Sequence, residues 1–301
     1  MTQPGLHLVH KPVGVTSFSL VRDFMGELEA AGLTRKQLPV CHGGTLDPFA
    51  QGLVVLLAGP ATRLMDSLHA APKTYEAQVV WGTETDTGDG LGRVTHSATA
   101  SALTPRVLDE ALAPFLGWSE QVPPATSAKK VEGEPAYKKA HRGEAVHLPP
   151  SRVYLHEARW LSHELPRTSR LRLTCRGGYY VRALARDLGR RLGCGAHLER
   201  LHRTGMGPWE DPGPAQRVWL HGAAVLPWCP SRTIAGDEVN DVKHGRALVP
   251  GDVRPAAWSP PEGFPLHPPP PVLALQRGRL VALLHEQDGG LRAHTHLWPG
   301  V

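Results

Sequence analysis

The chain opens with a short apolar run, Leu6-His7-Leu8-Val9, which reads as a strand leading into the turn His10-Lys11-Pro12-Val13-Gly14-Val15. Beyond it, Val21, Phe24, Met25 and Leu28 recur at the spacing of one helix face, with Thr16 or Ser17 placed to cap its start. Residues 53–58 are an unbroken apolar run of strand length, so a buried strand is expected. Residues 73–81 alternate instead. Tyr75, Ala77, Val79 and Trp81 fall on one side, and Thr74, Glu76 and Gln78 on the other, the pattern of a half-buried strand. Thr104-Pro105 supplies a cap and a first helical residue, predicting a helix that runs towards Leu116 and stops at Gly117. Residues 171–175 form a strand that feeds through Gly177-Gly178 into the most periodic helix. There Val181, Leu184, Ala185, Leu188 and Leu192 make the apolar face, and Gly193 ends it.

Between these elements, residues 123–143 are polar, basic and weakly periodic, the pattern of a mobile loop. After Trp228 the composition shifts: prolines crowd residues 260–271, and residues 272–275 and 280–284 read as short strands. The expected organisation is a large domain over residues 1–229 and a small β-rich domain over 230–301. A length of 301 residues accommodates both.

Composition narrows the classes. With 41% hydrophobic and 20% charged residues the chain is an ordinary globular protein rather than a disordered one. No apolar stretch reaches bilayer length, and no basic region followed by an apolar run opens the chain, so a cytoplasmic address is expected. Cys41, Cys175, Cys194 and Cys229 never form a Cys-x-x-Cys pair, which suits neither a disulfide scaffold nor a zinc ribbon. The 17 histidines include no His-x-x-x-His pair with an acidic third ligand, so no metal site is expected. The formal charge of +5 suits a polyanionic partner, provided the cations are arranged.

Three segments carry candidate chemistry. In His42-Gly43-Gly44-Thr45-Leu46-Asp47-Pro48, two glycines ahead of a carboxylate allow a close backbone approach to a substrate, and Pro48 fixes the chain after the acid. The same residues also spell an Asp N-cap with Pro at the first helical position, and on this segment alone both readings stand. Arg182, Arg186 and Arg190 stand four apart on one helix face, either a phosphate-tracking stripe or a solvated surface. Lys129-Lys130 and Lys138-Lys139-Ala140-His141-Arg142, interleaved with Tyr137, suit looped RNA, whose bases stack and whose phosphates need cations. Asp86-Thr87-Gly88-Asp89-Gly90 fails as a calcium loop, because Gly88 falls where an oxygen ligand is required.

Taken in order, these segments resemble the tRNA pseudouridine-55 synthases over roughly residues 7–209. His10-Lys11-Pro12-Val13-Gly14-Val15-Thr16-Ser17 is similar to the family's N-terminal motif. The Asp47 segment, continuing through Ala50, Gly52 and Gly59-Pro60-Ala61-Thr62-Arg63, is similar to its catalytic motif. Lys73-Thr74-Tyr75, Thr85-Asp86-Thr87-Gly88-Asp89, Leu192-Gly193-Cys194-Gly195-Ala196-His197-Leu198 and Leu201-His202-Arg203-Thr204 follow in the family's order. There are departures. Arg176 and Tyr179 stand where the family usually has Ser and Thr, Thr126 where it has Tyr, and His141 where it has Arg.

The resemblance implies an α+β fold: a mixed, mainly antiparallel central sheet flanked by helices, with a small C-terminal β-rich, PUA-like RNA-binding domain. It implies an isomerase that converts uridine to pseudouridine in the T loop of tRNA by base flipping, with no metal and no cofactor. Asp47 would be the carboxylate acting at the ribose, by attack at C1′ or by proton removal at C2′. Arg182 would be its charge partner, and Tyr75 would stack on the uracil. His42, Lys11, Arg63, Lys129, Tyr137, Arg142, Tyr180 and Leu201 would contact substrate or RNA. The tRNA T arm is the implied partner, with no membrane, no required protein partner and a monomeric state. A non-catalytic RNA-binding or tRNA-chaperone protein is the alternative that the basic clusters allow. A hydrolase using Asp47 as nucleophile would need a water-activating partner that the sequence does not offer.

Overall fold

The computed structural model describes residues 3–131, 133–249 and 251–301. The chain forms two compact units.

The first unit takes the chain through Leu46 together with Gly52–Ala71 and Met206–Val301. Gly5–Lys11 lies between Gln51–Ala58 and Arg217–Leu220, antiparallel to both, and Val40–His42 pairs antiparallel with the end of Gln51–Ala58 from Leu56 to Ala58. The apolar run expected to be buried is buried: Leu53 through Ala58 are at most 1% exposed. Helix Ser17–Ala30 starts at Thr16, whose side chain accepts from the Ser19 N–H, and it buries Val21, Phe24 and Leu28. Ser231–Thr233, Val272–Gln276, Arg279–Gln287 and Gly290–His296 build a separate four-stranded sheet, parallel at its first pair and antiparallel after it. Leu273, Leu280 and Leu283 from this sheet share one core with Leu6, Leu8, Leu53 and Val55.

The second unit holds Asp47–Gln51 and Pro72–Gly205. Its strands Gly117–Gln121, Ser151–Glu164, Thr168–Cys175 and Lys73–Trp81 lie side by side, antiparallel throughout, and Ala196–Met206 neighbours Lys73–Trp81. Lys73–Trp81 buries its odd-numbered side, and Trp81 closes that face by donating its indole N–H to Ser169 Oγ at 2.9 Å. Helix Val181–Arg191 packs Val181, Leu184, Ala185 and Leu188 inward. The helix after Thr104 is shorter than its spacing predicts. It is α-helical over Pro105–Leu112, turns 3-10 over Ala113–Phe115, and Gly117 at φ +83° starts a strand.

Residues 123–143 are not one irregular loop, since they hold the hairpin Lys130–Val131 with Glu134–Pro135 and the helix Ala136–His141. The side chain of His141 lies outside the described residues. Ser151–Glu164, a strand of 14 residues, has only sparse apolar alternation, because much of it is half-exposed.

Candidate active site

Asp47 is not a helix cap. Its carbonyl accepts from the Ala50 N–H at 3.0 Å, closing a turn, and no helix follows before the strand Gln51–Ala58. The residue before it is clamped, since Ser17 Oγ accepts from the Leu46 N–H at 2.8 Å and donates to the Leu46 carbonyl at 3.1 Å. The two glycines upstream do different work from a shared substrate approach. A Cβ on Gly43 would lie 3.0 Å from Leu68 and 3.3 Å from Leu57, so this glycine lets the segment sit tight on the core. Gly44 takes φ +142°, a conformation that side chains rarely adopt.

The carboxylate of Asp47 is gripped by Arg182. Nε donates to Oδ2 at 2.8 Å and Nη2 to Oδ1 at 2.9 Å, the bidentate fork that guanidinium and carboxylate planes allow. Nη1 donates to the Thr87 carbonyl and to Thr126 Oγ1, each at 2.7 Å, and Nη2 also to the Thr126 carbonyl at 3.2 Å. A guanidinium has five N–H donors, and all five are therefore committed. Arg182 is 3% exposed while the Asp47 side chain keeps 29% of its surface. About two of the carboxylate's four lone-pair sites stay open to a ligand. Asp89 Oδ2 lies 3.9 Å from Nη1, a second acid on the same cation.

The arginine stripe divides: Arg182 is buried, Arg186 half-buried and Arg190 exposed, and each is engaged by a carboxylate. Arg182 points inward to Asp47, Arg186 pairs with Asp187 and the Val122 carbonyl, and Arg190 holds Glu84 through two bonds. Arg182, Arg186 and Arg190 also line a cavity of about 870 Å³ with Glu84 and Asp86, a cavity whose wall includes neither Asp47 nor Tyr75.

Tyr180 stands at the start of the arginine helix, where no side chain of its own caps the turn. Gln121 supplies the missing bonds. Its amide accepts from the Tyr180 N–H at 2.9 Å and donates to the Tyr180 carbonyl at 3.1 Å. The helix entry that aims Arg182 is thus tied to the strand Gly117–Gln121.

Tyr75 and Leu201 are both buried. Burial pushes the Tyr75 phenol up to about 12, against the opposing influence of Arg203, which hydrogen-bonds it, so Tyr75 is a neutral hydroxyl at physiological pH. Lys73, two residues earlier, is driven the other way: burial first, then the charges of Arg203 and Arg176, lower its ammonium to about 7. Cys175 is raised to about 12 by burial.

The remaining candidate residues are dispersed. In the first unit, Lys11 is wholly buried and donates to the Pro12 and Val15 carbonyls, both at 2.9 Å, so it holds its own turn together. His42 is half-buried on its strand opposite Leu56, and Arg63 donates to the His296 carbonyl at 2.5 Å. In the second unit, Lys129 bonds Ser151 Oγ, Tyr137 is exposed on its short helix, and Arg142 takes Glu134 in a fork at 2.8 Å and Glu144 at 2.6 Å.

Residues 33–181 match the TruB family pseudouridylate synthase N-terminal domain, and residues 182–221 the tRNA pseudouridylate synthase B C-terminal domain. The tRNA pseudouridine synthase B of Arthrobacter sp. strain FB24 is 36% identical over 301 residues, covering 95% of this chain and 94% of that protein. The chain belongs to the TruB family. The tRNA pseudouridine synthase B of Xanthomonas campestris pv. campestris strain 8004 is 41% identical over 208 residues. That match covers 69% of this chain and spans 65% of the relative's length. Among solved structures, an H/ACA RNP bound to a substrate RNA containing 2′-deoxyuridine aligns with TM-score 0.62 at 19% identity, over 98% of this chain and 85% of that one. A Cbf5-Nop10-Gar1 complex aligns with TM-score 0.62 at 20% identity, over 98% and 84%. The fold is therefore the α+β pseudouridine synthase fold, with its mixed, mainly antiparallel sheet.

The departures from the TruB family pattern now have places. Thr126 provides two of the five acceptors around Arg182. Tyr179 is buried, and Arg176 lies over the Trp118 ring at 5.7 Å. Sequence reasoning passed over Thr87, Asp89, Gln121, Thr126 and Arg203. A carbonyl acceptor such as that of Thr87 has no side-chain signature. The loop Asp86-Thr87-Gly88-Asp89-Gly90 did carry a signal, and its failure as a calcium loop left it unassigned. Gly88, at φ +73°, lets that loop press on Arg182, since a Cβ there would sit 3.3 Å from the Cβ of Arg182.

Proposed function

We propose that this TruB-family chain isomerises uridine to pseudouridine in the T loop of tRNA, with Asp47 acting at the ribose of the flipped nucleotide. The observation that carries the reading is an accessible carboxylate whose two oxygens are both bonded by a buried arginine that has no donor left for anything else. An arrangement of that kind is completed only by the ionised acid. It holds the charge in place while leaving lone pairs for the substrate.

The reaction breaks the N1–C1′ bond, turns the uracil and rejoins it through C5, so the base must leave its stack. A fixed carboxylate serves this chemistry by attack at C1′, with a covalent sugar ester, or by taking the C2′ proton as the glycosidic bond breaks. Arg182 orients Asp47 in either case and does not itself meet phosphate. Tyr75, as a neutral phenol on a buried strand, stacks on uracil, and Leu201 supplies apolar wall. Tyr180, fixed by Gln121, borders the same group. His42 fills the space left by the extruded base, and Lys11 holds the turn ahead of the catalytic segment. Arg63, Lys129, Tyr137 and Arg142 meet RNA backbone or loop bases, as cations and an exposed aromatic suit.

The relatives named tRNA pseudouridine synthase B support tRNA as substrate. The chain acts as a monomer in the cytoplasm without a protein partner, and its residues 230–301 serve as a PUA-like RNA-binding domain. The test is to treat an unmodified tRNA transcript with the purified protein and map pseudouridine along it. One new pseudouridine in the T loop is expected. RNA binding without any pseudouridine would leave only a non-catalytic role.

A further inference from the structure

The strand Gly117–Gln121 is the last of its row, and its outward face carries an exposed indole among charged side chains. Trp118 keeps 43% of its surface exposed there. Its cross-strand partner is Tyr154, with ring centroids 5.1 Å apart and planes inclined at 52°. The guanidinium of Arg152 lies 4.5 Å from the indole centroid and that of Arg176 lies 5.7 Å from it. His156 continues the row beyond Tyr154, at 6.1 Å. Glu120, opposite Arg152 across the strands, is the acid of this face.

We propose that Trp118, Arg152 and Arg176 form an RNA-docking platform, which takes one unstacked base against the indole or an arginine plane and that nucleotide's phosphate on the other arginine. Two features favour RNA as the occupant. An exposed indole with two arginines combines the π surface and the planar cations that single-stranded nucleotides use, in one place and with net positive charge. The platform also shares its strand with a residue that supports the site. Gln121, three residues on and directed to the buried face opposite Trp118, holds the Tyr180 backbone beside the Asp47–Arg182 pair through its amide. Arg176 follows Cys175 directly and contributes to the field that lowers Lys73. Arg176 stands where the resemblance expects Ser, so that cation of the platform departs from the family pattern.

The inference rests on the proposed reaction, and the test separates the two. Pseudouridine formation in a T-arm stem-loop RNA is measured for the unaltered protein and for Trp118→Ala, Trp118→Phe and Arg152→Ala/Arg176→Ser. Trp118→Ala is expected to raise KM about five- to a hundredfold, the range for loss of one base–aromatic stack, with kcat nearly unchanged. Trp118→Phe is expected to recover most of that loss. The double arginine variant should raise KM and flatten its dependence on salt. If the unaltered protein makes pseudouridine and all three variants match its KM, the platform is wrong and the reaction stands. If Phe recovers nothing while circular dichroism shows an intact fold, stacking is wrong. An unaltered protein that makes no pseudouridine overturns the reaction and the platform with it.

Discussion

Arg182 meets Asp47 through two parallel hydrogen bonds of 2.8 and 2.9 Å, yet the cation is buried and the acid is open. That asymmetry is what a positioned anionic reagent needs. The arginine is desolvated once, during folding, by five acceptors that include three from Thr87 and Thr126, and the carboxylate faces outward from that support.

Replacing Arg182 with Lys should therefore cost more than a charge-conserving change suggests. A lysine ammonium cannot fork the carboxylate or reach the carbonyls of Thr87 and Thr126 together. Loss of about 3 kcal/mol is expected, equivalent to about a hundredfold in kcat/KM. Steady-state assays on a T-arm RNA check it. In an Asp47→Asn background, the stability cost of Arg182→Lys measured by urea unfolding should shrink, because the pair is already broken.

Gln121→Ala removes both bonds to the Tyr180 backbone; the carbonyl keeps the Leu184 N–H, and the Tyr180 N–H at the half-buried helix start loses its acceptor. Destabilisation of about 1–3 kcal/mol is expected. Because the helix entry aims Arg182, kcat should fall more than KM rises. Gln121→Glu, which keeps the acceptor for the Tyr180 N–H and loses the donor to its carbonyl, should be intermediate in both measurements.

Gly88→Ala tests the contact between loop and arginine. A side chain at φ +73° costs about 1–2 kcal/mol, and the added Cβ would crowd Arg182. Lower thermal stability and reduced kcat, with RNA binding retained, are the expected outcome. An unchanged kcat would mean that the Asp86–Gly90 loop does not set the arginine.

Lys73 gives a dependence on pH. Its ammonium is lowered to about 7 in the folded protein, chiefly by burial, while an unfolded lysine titrates near 10.4. Below pH 7 both states hold the proton and no slope arises. Above it the unfolded state binds more protons, so stability rises with pH by up to about 1.4 kcal/mol per unit. Between pH 7 and 8.5 the unfolding free energy of the unaltered protein should therefore gain on that of Lys73→Met. Parallel curves for the two proteins in that window would place the ammonium in an ordinary environment.

What could be read from the amino-acid order was whatever repeats with a period. The spacing of Val181, Leu184, Ala185 and Leu188 is the buried face of the helix Val181–Arg191, and the alternation from Lys73 to Trp81 is the strand that carries Tyr75. Spacing could not separate Arg182 from Arg186 and Arg190. All three are one turn apart, and only the tertiary surroundings of the first turn draw Arg182 inward. The acceptors around it were illegible for a similar reason, since backbone carbonyls carry no residue identity and Thr126 looks like any loop threonine. The glycine pair before Asp47 suggested substrate approach, whereas Gly43 serves packing on Leu57 and Leu68. Ser151–Glu164 escaped notice because a strand with much half-exposed surface lacks apolar contrast.

The most direct measurement is release of tritium from C5-labelled uridine in a T-arm RNA, comparing the unaltered protein with Asp47→Asn. The unaltered protein should release the label at the T-loop uridine. The Asn variant should slow release by about a thousandfold or more while binding the RNA within a few-fold of the unaltered affinity. Release at an undiminished rate by Asp47→Asn would contradict the assignment of the reacting carboxylate, whatever the fold.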